Sequence, residues 1–482
     1  MKKRLLSPPP PGMTTSTLTR GKRRRSVATS TPKEEEPVTA AATKLGAGGY
    51  GVVSGKDYDT LLRTLLDKGG ISLRQKQNLV KKTYYRKKDM EQAIRMDTLI
   101  KTIDPERVYL KSPIYSQDHT TLQNKDGTKY FLYMRNQGYS MDKKHKNLGS
   151  EMNRNRLIGS FYQLLIALCL LDAQSMVHGD IKRSNITIDD RSSLQQEQYK
   201  PFTLGLIDFD LLLDCKKTSN VYDMKHPSSI YFLRPLELYY ESSLKKLVQY
   251  PIPSHLMGMN EYLELLRTTT LFYLNYITIN VPYLFPTATK DVQTWIRRVM
   301  FCAIAHINFP QYETLQRLLK TLEFHSAEEW DKDRANIKFL MTCWRLLPTI
   351  NTDYDRVARY PYLDAFWKVY GPNGTYKTLK KDWRKVDTFG LGLVAQYFLG
   401  NHRFTKDELN QRFHEFLLDM VHPDPSKRLD ASRALREWME IIKEYDKQQY
   451  HRILREIGGN SHLVEIMGDA LVGTKTYQIK SR

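Results

Sequence analysis

The sequence predicts an α+β protein, with a small sheet-rich part at residues 45–140 and a larger helical part at residues 141–445. Three observations carry that expectation. In the first part, short β-branched and aromatic runs (Ala47 to Val53, Asn78 to Tyr85, Tyr130 to Met134) are broken by Gly or polar residues, as half-buried strands are. After Met141, long apolar periods of 3.6 residues dominate: Asn155 to Leu171, Val292 to Ile307, Tyr312 to Leu322, Val386 to Phe398 and Ser432 to Tyr445. A hydrophobic fraction of 41% with 11% aromatic residues is too apolar for a chain disordered from end to end, so a real core is expected. Asp89 to Thr102 adds one helical period among the strands, and there is no internal repeat.

Residues 1–44 read as a disordered basic tail. They are rich in Pro, Ser, Thr, Lys and Arg and lack an apolar period that would pack. Ten Lys/Arg against three Glu give the tail +7, leaving +14 of the total +21 on the rest of the chain. Such charge attracts acidic partners at long range, whether nucleic acid, anionic lipid or acidic protein segments, without choosing among them. Lys22-Arg23-Arg24-Arg25 reads either as a solvated polybasic run or as a nuclear import signal, so an intracellular protein of nucleus or cytoplasm is expected. Cys169, Cys215, Cys302 and Cys343 form no C-x-x-C pair, which argues against a zinc site or a disulfide framework. No run reaches the roughly 18 apolar residues of a membrane-spanning helix. Phe272 to Phe285 comes closest, but Asn275, Thr278, Asn280 and Pro282 interrupt it, and it reads as buried core.

Three segments carry chemistry. Leu45 to Val53 holds Gly46, Gly48 and Gly51 in the spacing G-x-G-x-x-G, where missing Cβ atoms let backbone lie against phosphates. A dinucleotide-binding turn would run on into a helix, whereas Tyr50 to Val53 continues as strand. His178-Gly179-Asp180-Ile181-Lys182-Arg183-Ser184-Asn185 follows a long apolar helix and gathers an acid, a cation and an amide in one loop. Leu206-Ile207-Asp208-Phe209-Asp210 is a strand running into acids. Taken singly, Asp180 and Asp208 read as turn residues; their order and flanks favour a shared site.

In order, these segments resemble the glycine loop, the H-R-D-L-K-x-x-N catalytic loop and the D-F-G element of eukaryotic-type protein kinases, with Lys182 pointing to the serine/threonine type. The resemblance covers residues 45–440 outside an insert. It implies a bilobal fold with an N-lobe at 45–140 and a C-lobe at 141–445, followed by a C-terminal extension at 446–482. It also implies ATP and Mg2+ as cofactors and protein hydroxyls as acceptors. Asp180 would be the catalytic base, Lys182 would neutralise the transferred phosphoryl, and Asn185 and Asp208 would hold the metal. Val53 would lie over the base. Asn78-Leu79-Val80-Lys81-Lys82 resembles the V-A-I-K strand, with Lys81 aligning best, Lys82 the alternative, and Glu91 the nearest helix glutamate to pair with it. Tyr130 to Gly138 resembles the adenine hinge, including Met134, with Leu132 or Tyr133 as gatekeeper.

Further motifs and departures follow. Tyr231 to Glu237 resembles the A-P-E segment, Pro423 to Leu429 the late motif with its structural Arg, and Asp387 to Gly392 the D-x-W-S-x-G start of the central helix. The resemblance implies a buried Glu237–Arg428 ion pair and an Asp387 that holds the catalytic-loop backbone. Gly179 stands where many kinases carry an Arg that pairs with a phosphorylated loop, and Asp210 stands where the Gly of D-F-G is expected. A helix-rich insert at residues 241–380, with Trp295, Trp330, Trp344 and Trp367, is expected to pack, either as a docking subdomain or as simple enlargement. Its place, with D-T-F-G-L-G and H-G-D-I-K, resembles divergent kinases of large DNA viruses. A pseudokinase scaffold is the alternative reading. Direct nucleic-acid binding through the basic charge is a third, with no zinc knuckle, ribonucleoprotein motif or basic-aromatic alternation to support it. A basic surface also favours acidic target sequences.

Overall fold

A computed structural model describes residues 43–48, 51–55, 79–111, 120–124, 127–135, 138–142, 148, 150–189, 201–216, 233–239, 258–324, 328–380, 382–461 and 463–465. Most of the tail with its Lys22 to Arg25 run, the Gly49-Tyr50 tip of the glycine loop, Tyr231-Phe232 and residues 240–257 of the insert lie outside them. The first described part is one antiparallel sheet. β1 (Thr43–Gly48), β2 (Gly51–Gly55), β3 (Leu79–Tyr84), β4 (Thr120–Asn124) and β5 (Gly127–Arg135) lie in the order β1-β2-β3-β5-β4. The run Ala47 to Val53 falls on the β1–β2 hairpin, in which Gly48 faces Gly51. Helix α1 (Lys87–Ile103) packs Met90 and Ala93 against Tyr84 and Leu132 of the sheet. Its last turn, with Ile100 and Ile103, joins the main core.

The rest is mostly helical with small antiparallel pairs, so the chain is α+β. Asp104 accepts the Tyr109 and Leu110 N–H groups on one carboxylate oxygen, each at 2.8 Å, which lays Leu110 parallel to Leu206. β6 (Tyr139–Ser140), β7 (Met176–Val177), β8 (Ile186–Asp189), β9 (Thr203–Leu206) and β10 (Leu213–Asp214) form the sheet β6-β8-β9 and the pair β7-β10. The single helix expected over Asn155 to Leu171 is two, α2 (Glu151–Ser160) and α3 (Tyr162–Ala173), meeting at Phe161. Residues Tyr162 through Leu171 of α3 are buried on every side. By length and composition Glu151–Ala173 would cross a membrane, yet 78% of its most apolar window is covered by the rest of the chain, as in a core helix.

The insert packs, as its tryptophans suggested. α4 (Met259–Leu284), α5 (Lys290–Asn308), α6 (Tyr312–Glu323), α7 (Asp331–Thr352), α8 (Tyr354–Ala358) and α9 (Pro361–Tyr370) build a second apolar core. The Phe272 to Phe285 run belongs to α4 and its C-cap. That core is shared with Leu236, Leu238 and Tyr239 and with Phe389 and Leu393 of α10 (Val386–Leu399), so the insert is continuous with its surroundings. α11 (Asp407–Met420), α12 (Ala431–Tyr445) and α13 (Lys447–Gly458) complete the chain as described. No structural break falls at residue 445. α13 buries Tyr450, Ile453 and Ile457 in the first core, and its Glu456 accepts from the Tyr109 and Tyr162 hydroxyls, both at 2.6 Å. None of the four cysteines forms a disulfide among the described residues, and burial pushes the Cys169 and Cys215 thiols up to about 12.

The expected buried pair forms. Arg428 Nη1 and Nη2 donate to the two Glu237 carboxylate oxygens at 2.7 and 3.3 Å, and Nε donates to the His422 carbonyl at 2.9 Å. With Arg428 0% and Glu237 3% exposed, neither charge is hydrated. Glu237→Ala is therefore expected to cost about 3–5 kcal/mol in urea unfolding, whereas replacing both partners by apolar residues of similar volume costs much less.

His422 supplies a second expectation. Its Nδ1 accepts the Asp424 N–H at 3.0 Å, and burial lowers its pKa to about 4, below the roughly 6.5 of an unfolded histidine. The neutral ring thus adds stability that is complete above pH 6.5 and is lost as the pH falls toward 4. His422→Asn, whose side-chain carbonyl still accepts, is expected to narrow its melting-temperature gap to wild type between pH 7 and 5.

Candidate active site

Two strand ends make the corner on which the site is built. β8 and β9 pair with Ile186 opposite Leu206, so the residues beyond the paired ends, Asn185 and Ile207, are neighbours, and the Ile207 N–H donates to the Asn185 carbonyl at 3.0 Å. His178, 0% exposed, ties the preceding loop to the same corner. Its Nδ1 accepts the Asp180 N–H at 3.3 Å and its Nε2 lies 3.0 Å from the Ile207 carbonyl, which together assign the proton to Nε2. The ring packs against Phe209 at 5.1 Å.

The loop is held from α10 as expected. Asp387 accepts the His178 N–H at 2.6 Å and the Gly179 N–H at 2.9 Å, one on each carboxylate oxygen. Gly179 has a positive φ of 71°, and a Cβ there would lie 3.3 Å from the Leu211 carbonyl and 3.4 Å from Arg234 Nη2. The guanidinium of Arg234 donates to the Gly179 carbonyl at 2.5 Å. Gly179 and Arg234 thus make one arrangement: the loop carries no side chain at 179, and an arginine from the other segment packs beside it.

Within the loop, Lys182 donates to Asp180 Oδ2 at 2.7 Å, and the Asn185 amide donates to Asp180 Oδ2 and to its backbone carbonyl, each at 2.9 Å. Burial raises the Asp180 carboxyl above the usual carboxylate range, against the opposing pull of Lys182. With its NH2 group committed to Asp180, the Asn185 side-chain oxygen accepts a long bond from the Ser184 hydroxyl at 3.4 Å. Arg183 is paired with Asp142 at 3.2 Å and lies 5.2 and 4.6 Å from the Tyr283 and Tyr397 rings, one from the insert and one from α10.

Asp208 follows β9 in the left-handed region, at φ 69°, a conformation that costs a non-glycine residue about 1–3 kcal/mol and is kept where surrounding contacts dictate it. The contact is with the sheet. Lys82 donates to Asp208 Oδ1 at 2.9 Å and to Asp210 Oδ2 at 2.8 Å. Burial alone would lower the pKa of this ammonium, but the two carboxylates outweigh it and hold it well above the usual lysine range. Burial would likewise raise Asp208, yet Lys82 brings it below the ordinary value, whereas Asp210, beside Asp208, stays raised.

Two sequence expectations are corrected here. The lysine that the structure shows against the acids is Lys82, the alternative to Lys81. In register it stands opposite Val53 of β2 and Leu132 of β5, so these three positions form one row across the sheet. Glu91 is not its partner. It sits in the first turns of α1, 42% exposed, paired with Lys87 at 3.4 Å, because α1 starts only five residues beyond Lys82. Gly46, Gly48 and Gly51 fall on the β1–β2 hairpin and Met134 opposite Val80 in β5. The Lys82–Asp210 pair and the Arg183 aromatic contacts were missed by sequence reading, although Asp210 had stood out as a departure. No family model matches the chain, and neither does any curated protein.

Asp387→Ala removes both carboxylate acceptors from the loop. Amide hydrogen exchange at His178 and Gly179 is expected to accelerate by roughly ten- to hundredfold, the loss of charge-assisted hydrogen bonds, with α12 amides unchanged.

Proposed function

We propose that this chain is an ATP- and Mg2+-dependent serine/threonine protein kinase of two-lobed build, with the antiparallel sheet and α1 as the smaller lobe and the helical remainder as the larger. The observation that carries this reading is the meeting of Lys82 with Asp208 at the same corner as Asp180, Lys182 and Asn185. An acid held by a lysine, a neighbouring amide and a second acid held by another lysine are what phosphoryl transfer to an alcohol requires.

Asp180 orients the acceptor hydroxyl and takes its proton, and its raised pKa suits a group that must bind a proton in transit. Lys182, already against Asp180, offsets charge on the transferred phosphoryl. Lys82 turns toward the phosphates under the β1–β2 hairpin, and the end of β5 receives the base. Asp208, its side chain 39% exposed, and the Asn185 side-chain oxygen fit Mg2+, which favours a few hard oxygen ligands and takes the rest from phosphate and water. Bound there, the metal would supply neutralising charge across the phosphates. Among the described residues no group of three or more His, Cys, Asp or Glu stands ready for a metal, and a one-carboxylate, one-amide site needs none.

Radiolabelled ATP with Mg2+ and a generic acidic or neutral protein is the test. Wild type is expected to transfer label, with Asp180→Asn and Asp208→Ala each reducing transfer by at least roughly a hundredfold. Nucleotide binding by wild type without transfer would instead leave the scaffold reading, and equal labelling by all three would trace the activity to a contaminant.

A further inference from the structure

We propose that Asp210, and not a glutamate of α1, is the residue that positions Lys82 on the nucleotide; this rests on the kinase reading above. The geometry is direct. Asp210 Oδ2 accepts from Lys82 Nζ at 2.8 Å, with side chains 15% and 11% exposed, while Glu91 is 42% exposed and engaged with Lys87. Among the described residues no glutamate of α1 is paired with Lys82. The oddity of the sequence, an acid in place of the glycine after Phe209, is accounted for by this substitution of partner.

The arrangement changes how the site is assembled. Asp208 and Asp210 flank Phe209 on a single 3-10 turn, Phe209–Leu211, so the candidate metal ligand and the carboxylate that aims the lysine move together. When Asp208 Oδ1 exchanges Lys82 for a metal, Asp210 keeps the ammonium in place beside the phosphates. A separate movement of α1 to bring in a glutamate is then unnecessary. Asp210 acts through Lys82 and is a positioning residue.

The test is a double-mutant cycle on the full chain, reading ADP affinity by calorimetry with Mg2+ present and KM for ATP and kcat in the transfer assay. Asp210→Asn is expected to weaken ADP binding and raise KM about tenfold, Asp210→Glu to restore most of it, and Glu91→Gln to change either by less than twofold. In a Lys82→Met background, Asp210→Asn is expected to add nothing, because its route to the nucleotide is gone. Melting temperatures within a few degrees of wild type, together with the Asp210→Glu rescue, separate these effects from misfolding. The inference is overturned if Asp210→Asn matches wild type, if it costs as much without Lys82 as with it, or if Glu91→Gln is the damaging change. Failure of wild type to bind or transfer would bring down the kinase reading itself, a different outcome from an active wild type indifferent to Asp210.

Discussion

A buried ammonium must find negative charge, and Lys82 finds it across the junction between the sheet and the helical part. That requirement fixes more than one side chain. It sets the central strand β3 against the end of β9, and it compensates the left-handed backbone of Asp208, which would be unfavourable without a partner to hold it. Asp387 does the same for the neighbouring loop, and His178 links the two. The corner is therefore a network in which each charged or strained group is satisfied by another. Such networks hold one geometry because removing any member leaves a desolvated group behind.

Much of this was legible in the chain. The runs read for β3, β5, α5, α6, α10 and α12 reproduce their elements within a few residues; in α6 and α12 burial on one face imposes the spacing, whereas α10 is buried nearly all round. The loop residues Asp180, Lys182 and Asn185 and the brace at Asp387 were readable because local sequence order determines which groups a tight loop brings together. What failed was register. Adjacent lysines in a strand are equivalent in composition but not in facing, and only pairing with β2 and β5 decides that position 82 lies in the row with Val53 and Leu132. Glu91 failed for a related reason. Where a helix begins determines which of its turns faces the sheet, and no local signal announced a start at Lys87.

Departures from a pattern proved informative in pairs. Gly179 alone looked like a lost side chain; in space the Arg234 guanidinium packs beside it and donates to its carbonyl. Asp210 and Glu91 are read together as well: the acid after Phe209 meets Lys82, and the helix glutamate pairs with Lys87 instead. A single sequence can flag such positions but cannot couple them, since the coupling is long-range in the chain and short-range in space.

The contact of Arg183 with Tyr283 and Tyr397 bears on whether the helices of residues 259–370 could be removed. A domain merely spliced into a surface turn can be excised and the cut closed with a few residues. Here one aromatic wall of the loop beside Lys182 is contributed by α4, and the insert shares its apolar core with Leu236 and Phe389. Deleting that segment would open a groove along α10 and leave a guanidinium half-unsupported, so these helices are part of the scaffold that holds the loop.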